Sequence, residues 1–268
     1  MSLFCSNELP TKQLCDTWIS TCFTSMVETL FLIFEAACVG LFTHFQMVYY
    51  RLLISSPDRL IKMLLENDWM LKSFIDNICH PPIFDAFLHT IKSEADFSVI
   101  KDFLVKCSQN SLLEYLLALS SDEGMGSPAA LVLGSLSDSV TELKSIYMLF
   151  GTQEIVRRAI LVVIDGLSST LPVPARKREC ITALHSYYSL WNRSIPVSGT
   201  HNNNLNVHEC FLEILPFLSN LLAHTNKNRF QYEVSSINVF NISVAELLYS
   251  ILTKGLFYML TNNKSLFS

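Results

Sequence analysis

Charge is what this chain has least of. Only 16% of its 268 residues are charged, half are hydrophobic, and mean hydropathy is +0.33. There is no basic excess either: 19 bases stand against 24 acids, for a net charge of -5. A broad basic face for nucleic acid is therefore not expected. No CxxC pair occurs among the eight cysteines, at 5, 15, 22, 38, 79, 107, 180 and 210. Their apolar neighbours predict small buried thiols rather than a disulfide scaffold or a zinc ribbon. The start "MSLFCSNELP" has no basic segment leading into an apolar one, so no secretory signal is expected. The sequons at Asn192, Asn241 and Asn263 then carry little weight. A clean spanning helix is missing as well. The longest apolar run, Thr29 to Tyr50, contains Glu35, follows Glu28 and holds His44. Spanning needs about 20 apolar residues, and a central charge costs roughly 3 kcal/mol. These absences predict a cytoplasmic protein without membrane insertion. Arg176-Lys177-Arg178 is the one cluster that would serve as a nuclear signal, and its plainer reading is a solvated turn before a helix.

What is present is helical periodicity. Apolar residues recur at a 3.6-residue period in blocks of roughly ten to eighteen. In "SSPDRLIKMLLEN", Ser56 is the expected N-cap, Pro57 takes N1, Asp58 lies in the first turn, and Leu60, Ile61, Leu64 and Leu65 form the apolar face. "DWMLKSFIDNIC" follows, with Asp68 as cap and Trp69, Leu71, Phe74, Ile75 and Ile78 inward. Further blocks start near Ala95, Ser111, Ser127, Thr152, Arg178, Leu205 and Ser243. Pro216 should kink or split its helix, and Gly255 threatens the last one. "LVVI" at 161–164 is β-branched but sits inside a helical pattern, so the expected class is all-α. Many short helices joined by short breaks suggest an irregular HEAT or armadillo-like solenoid of helical pairs. The expected plan is a leader over 1–20 and one solenoid domain over 21–268 with a polar loop at 192–204. A compact irregular bundle is the competing architecture.

No constellation carries chemistry on sequence grounds. Cys79, His80, Asp85 and His89 have metal-ligating side chains, but Cys79 and His80 are adjacent, which suits neither joint ligation nor a Cys/His nucleophile pair. Asp85 and His89 share a helix face, where a weak i,i+4 contact explains them. Pro81 and Pro82 end one helix and start the next, with Ile83, Phe84, Phe87, Leu88 and Ile91 as the apolar stripe. Gly124 and Gly126 lack the lysine and the preceding strand of a phosphate loop. Asp165-Gly166 reads as a helical residue followed by a tolerated glycine, and Asp122-Glu123 as a solvated linker. His44, His185, His208 and His224 are single. No catalytic, metal or cofactor-binding residues are expected.

The segment from Phe42 to Ile91 resembles the core of the SAPS-domain family, regulatory subunits of protein phosphatase 6. The likeness lies in a proline-opened helix at Pro57 to Leu65, an acidic-hydrophobic helix start at Asp68 to Ile78, and a helix with Ile83, Asp85, Phe87, Leu88 and Ile91 after a short break. "SPAALVLGSLSDSV" is similar to a small-residue segment of the family, and Leu205-Asn206-Val207 to the opening of a late helix, although Asn204 or a neighbour stands where a basic residue is expected. The resemblance implies a non-catalytic α-helical scaffold that docks a phosphatase 6-like, type 2A-related serine/threonine catalytic subunit and helps target it. Inter-helix loops at Asp68, Pro81, Pro82, Asp122 and Glu123 are then the candidate partner contacts. The alternative is a generic armadillo-like protein-protein adaptor with no phosphatase partner. A helical enzyme and a membrane-associated protein are the remaining readings. The apolar composition also suggests a constitutive partner.

Overall fold

The computed structural model describes residues 9–35, 41–122, 124–139, 146–150, 153–168, 174–194, 207–227 and 234–262. Every regular element among them is a helix. The run at 161–164 is helical too, as its period predicts. Two compact units divide the chain, Met1–Leu112 and Leu113–Ser268.

The first unit holds α1 (Leu9–Phe31), α2 (Phe42–Ser55), α3 (Pro57–Glu66), α4 (Asp68–Asp76), α5 (Pro81–Ile91) and α6 (Phe97–Gln109). The long apolar run is thus interrupted after Phe31 by a turn that exposes Glu35. α2 packs on α1 and α5, and α3 on α6. The pairs α2–α5 and α3–α6 are each three elements apart, and α5 starts 39 residues after α2. At that offset Phe45 matches Phe84, Leu60 matches Val99, Ile61 matches Ile100 and Leu64 matches Phe103, all buried. Lys62 and Lys101 match on the exposed side. A length near 40 residues belongs to HEAT and armadillo-type units, and a three-element step fits the three-helix kind better than simple hairpins.

Aromatic rings fill the centre of this unit. Phe74 lies against Phe31, Phe45, Tyr49 and Phe87 with centroids 5.5 to 6.4 Å apart. Such pairs add about 0.5–1.5 kcal/mol each beyond burial. Thr90 donates to the Ala86 carbonyl at 2.8 Å, so its oxygen is left to accept from the Tyr49 hydroxyl at 2.6 Å. Burial holds that phenol neutral far into alkali.

Helix starts differ from expectation in two places. Ser56 occupies the cap position before Pro57, but its side chain makes no capping bond. Asp58 instead accepts from the Asp96 backbone N–H at 2.9 Å, while Asp96 caps α6 by accepting from the Ser98 N–H. The starts of α3 and α6 are therefore tied together. Asn67, not Asp68, occupies the cap position of α4, again without a capping bond, since its side chain closes α3 by donating to the Met63 carbonyl. Trp69 is exposed and Met70 takes the inward place.

The second unit holds α7 (Leu112–Leu119), α8 (Gly126–Ser139), a 3-10 turn at Ile146–Phe150, α9 (Gln153–Ser168), α10 (Pro174–Ser194), α11 (Val207–Glu213), α12 (Leu215–Lys227) and α13 (Val234–Asn262). α10 is the hub, packed on α8, α9 and α13. Gly126 faces Glu179, Gly134 faces Ser186 and Asp138 pairs with Arg193, so α8 and α10 run parallel. Small residues permit that approach. A Cβ on Gly126 would come within 2.8 Å of the Ser120 carbonyl oxygen, and one on Gly166 would strike Ser121. Gly166 is thus closely fitted against the Ser121 side chain, more than a merely tolerated glycine. Pro216 does split its helix: α11 ends at Glu213 and α12 restarts at Leu215. Gly255 breaks nothing, since α13 runs through it. α10 extends to Ser194, and 195–206, with most of the expected polar loop, lies outside the described residues. Among the described residues no helix is long and apolar enough to cross a membrane.

Candidate functional site

The segment from Asp76 to Ile91 is a helix end, a turn and a helix restart. α4 stops at Asp76, Asn77 closes it by donating to the Ser73 carbonyl, and α5 begins at Pro81 with the His80 carbonyl accepting from Ile83 and Phe84. Its polar side chains disperse. Cys79 is buried, and burial pushes its thiol up to about 11. The His80 ring meets Phe42 edge-on at 4.9 Å, Asp85 accepts from Gln46 Nε2 at 3.1 Å, and His89 lies on Tyr50 at 4.8 Å. The supposed Asp85–His89 contact is replaced by two contacts to α2. The stripe expected on α5 is buried, except that Leu88 is half-buried while Ala86 and Thr90 go inside.

Polar groups of the second unit also serve packing. His185 Nε2 meets Ser250 Oγ at 3.2 Å, and His208 Nδ1 meets the Tyr188 hydroxyl at 3.2 Å, its ring stacked on Trp191. Desolvation lowers the pKa of both histidines. Cys180 donates to the Ser120 carbonyl. The buried Cys79, Cys107, Cys180 and Cys210 match the expected small apolar thiols, with Cys22 half-buried. Among the described residues no three His, Cys, Asp or Glu side chains come together to hold a metal ion. Asn192 and Asn241 sit within helices with buried side-chain oxygens, a poor setting for sugar addition, whereas Asn263 is outside the described residues.

The candidate contact residues fall as follows. Asp68 is exposed and pairs with Lys106 at 2.8 Å. Pro81 is exposed and Pro82 half-buried at the start of α5. Asp122 does more than meet solvent: it accepts from the N–H groups of Gly124 and Met125 and so shapes the entry to α8. Glu123 is outside the described residues. Arg176-Lys177-Arg178 lies within the first turns of α10, which starts at Pro174, rather than in a turn before it.

Helices α2 and α13 carry apolar residues on both faces, a feature not singled out from sequence. α2 buries Phe45, Tyr49, Leu52 and Leu53 yet exposes Met47, Tyr50 and Ile54 at i, i+3 and i+7. α13 buries Phe240, Val244, Leu247 and Ile251 yet exposes Ile242, Leu252 and Tyr249, the last 71% accessible. The signal was available in "HFQMVYYRLLI", where apolar residues run all round the helix rather than along one stripe. Such rows are chemically inert and fit contact with another apolar surface. No family model matches the chain, nor does any curated protein or solved structure.

Proposed function

We propose that the chain is a non-catalytic helical adaptor that holds other proteins against its two-faced helices. The exposed row Met47, Tyr50 and Ile54 on α2 carries this reading, because the helix is already buried on its opposite face while Met47 and Ile54 stay about half accessible, with Tyr50 between them covered in part by His89. The armadillo-like step between α2–α3 and α5–α6 supports it, since stacked helical units present extended binding surfaces. Cross-linking in cells, with the tagged chain and a Met47→Glu, Ile54→Glu double variant, tests it. Cross-links should map to α2 and disappear in the variant. Unchanged cross-links elsewhere, with a monodisperse monomer at high concentration, would remove the proposal.

A narrower reading names the partner as a phosphatase 6-like catalytic subunit. It rests on the likeness of residues 42–91 to the SAPS-domain family. Gel filtration of the purified chain with type 2A-like catalytic subunits decides between the two. Co-elution with the phosphatase 6 type favours the narrower reading. Co-elution with none, alongside cross-links to other proteins, leaves the general adaptor.

A further inference from the structure

Two histidines that stand alone in the sequence meet in the fold. His185 of α10 and His208 of α11 both bear on one residue of α13, Ser250. His185 Nε2 meets its Oγ at 3.2 Å. His208 reaches it through Tyr188, whose hydroxyl lies 3.2 Å from Nδ1 and donates to the Ser250 carbonyl at 3.5 Å. That direction of donation has Tyr188 accepting from His208 Nδ1–H, so the neutral ring carries its proton there. A second proton must go to Nε2, which is buried. Glu246 of α13 and Arg193 of α10 act on His185, and Lys254 of α13 and Glu209 of α11 act on His208. Each ring thus has one carboxylate and one cation about it, a balance that holds only while the ring is neutral. Arg193 is further drawn to Asp138 at the end of α8. Trp191 stacks on His208 at 6.1 Å, the limit of useful cation–π attraction, so it offsets little of the cost of charging that ring. Burial leads the lowering of both pKa values, and Lys254 adds repulsion at His208.

We propose that this junction is an acid-sensitive latch, in which protonation of His208 and His185 loosens α13 from α10 and α11. While the three helices are closed the new charge is kept from water, and opening at α13 hydrates it. In the open state an imidazole returns to about 6.5, so closure is fully favoured above that value and loses ground as pH falls through the lowered folded values. Opening bares Phe240, Val244, Leu247 and Ile251, the face that α13 otherwise buries. The latch needs no partner and goes beyond the adaptor reading.

Hydrogen exchange of the full chain, read by mass spectrometry at about pH 7.5 and about pH 5.5 and corrected for intrinsic rates, provides the test. Peptides of α13 should open about tenfold more at the lower pH. Those of α8, which has no histidine, should not change. The double variant His185→Gln, His208→Gln should lose the pH dependence, even where it opens α13 at both pH values. Lys254→Met keeps both histidines and removes the repelling charge. It should move the His208 titration, followed by NMR, to higher pH and reduce the acid opening. Equal opening of α13 at the two pH values, opening that spreads to α8, a pH dependence that survives in the double variant, or a His208 titration unmoved by Lys254→Met would each overturn the latch.

Discussion

Three glycines on helices of the second unit show how a single Cβ decides a sign. Alanine in a helix is favoured over glycine by up to about 1 kcal/mol. At Gly134 a Cβ would meet only Ser186 Oγ at 3.7 Å, an ordinary contact, so Gly134→Ala should raise the urea midpoint. At Gly126 the obstacle is a backbone carbonyl at 2.8 Å, and Gly126→Ala should cost about 1–3 kcal/mol through strain. Gly166→Ala should destabilise as well, and Ser121→Gly should rescue it, because the obstacle there is a side chain. Buried thiols give a second prediction at this scale. Cys107 has no exposure, and burial raises its pKa as it does that of Cys79. Labelling at pH 8 followed by peptide mass mapping should therefore modify Cys22 well before Cys79 or Cys107, which should react only as the chain unfolds.

At the scale of elements, the aromatic centre joining α1, α2, α4 and α5 should be the costliest to cut. Phe74→Ala is expected to lose about 3–5 kcal/mol, read by chemical denaturation. The contacts of α10 with α13 and with α11 should respond to acid. Burial lowers the pKa of His185 and His208, so between their folded values and the unfolded value of about 6.5 the unfolded chain binds more protons. Stability from these groups is complete above pH 6.5 and falls as pH drops through their folded pKa values. His185→Gln should flatten that fall in a pH series of denaturation curves. Much at this scale was legible in sequence. The Pro81-Pro82 break, the split at Pro216 and the helical reading of 161–164 follow from local sterics and period. The Asp58–Asp96 link between the starts of α3 and α6 joins residues far apart in the chain, which no local pattern shows. The 39-residue repeat was hidden for a related reason. Its copies share burial more than identity, as Leu64 against Phe103 shows, and burial appears only in the fold. Dispersal of Cys79, His80, Asp85 and His89 was foreseeable from their spacing, whereas the partners of Asp85 and His89 on α2 were not.

For the molecule as a whole, low charge goes together with helices that are apolar on both faces. Yet the repeat also bears on how the first unit forms. Docking α2 on α5 and docking α3 on α6 each close a loop of nearly the same length. Loop-closure entropy depends on that length, and once either contact exists the other closes only a short remaining span. The four helices should accordingly gain protection against hydrogen exchange in one step, and pulse-labelling during refolding should find them protected together. Separate protection of α2–α3 and α5–α6 would mean that each repeat folds for itself. Common protection would make the pair the smallest piece of this unit able to persist, with the Asp58–Asp96 link acting as the clasp between its two halves.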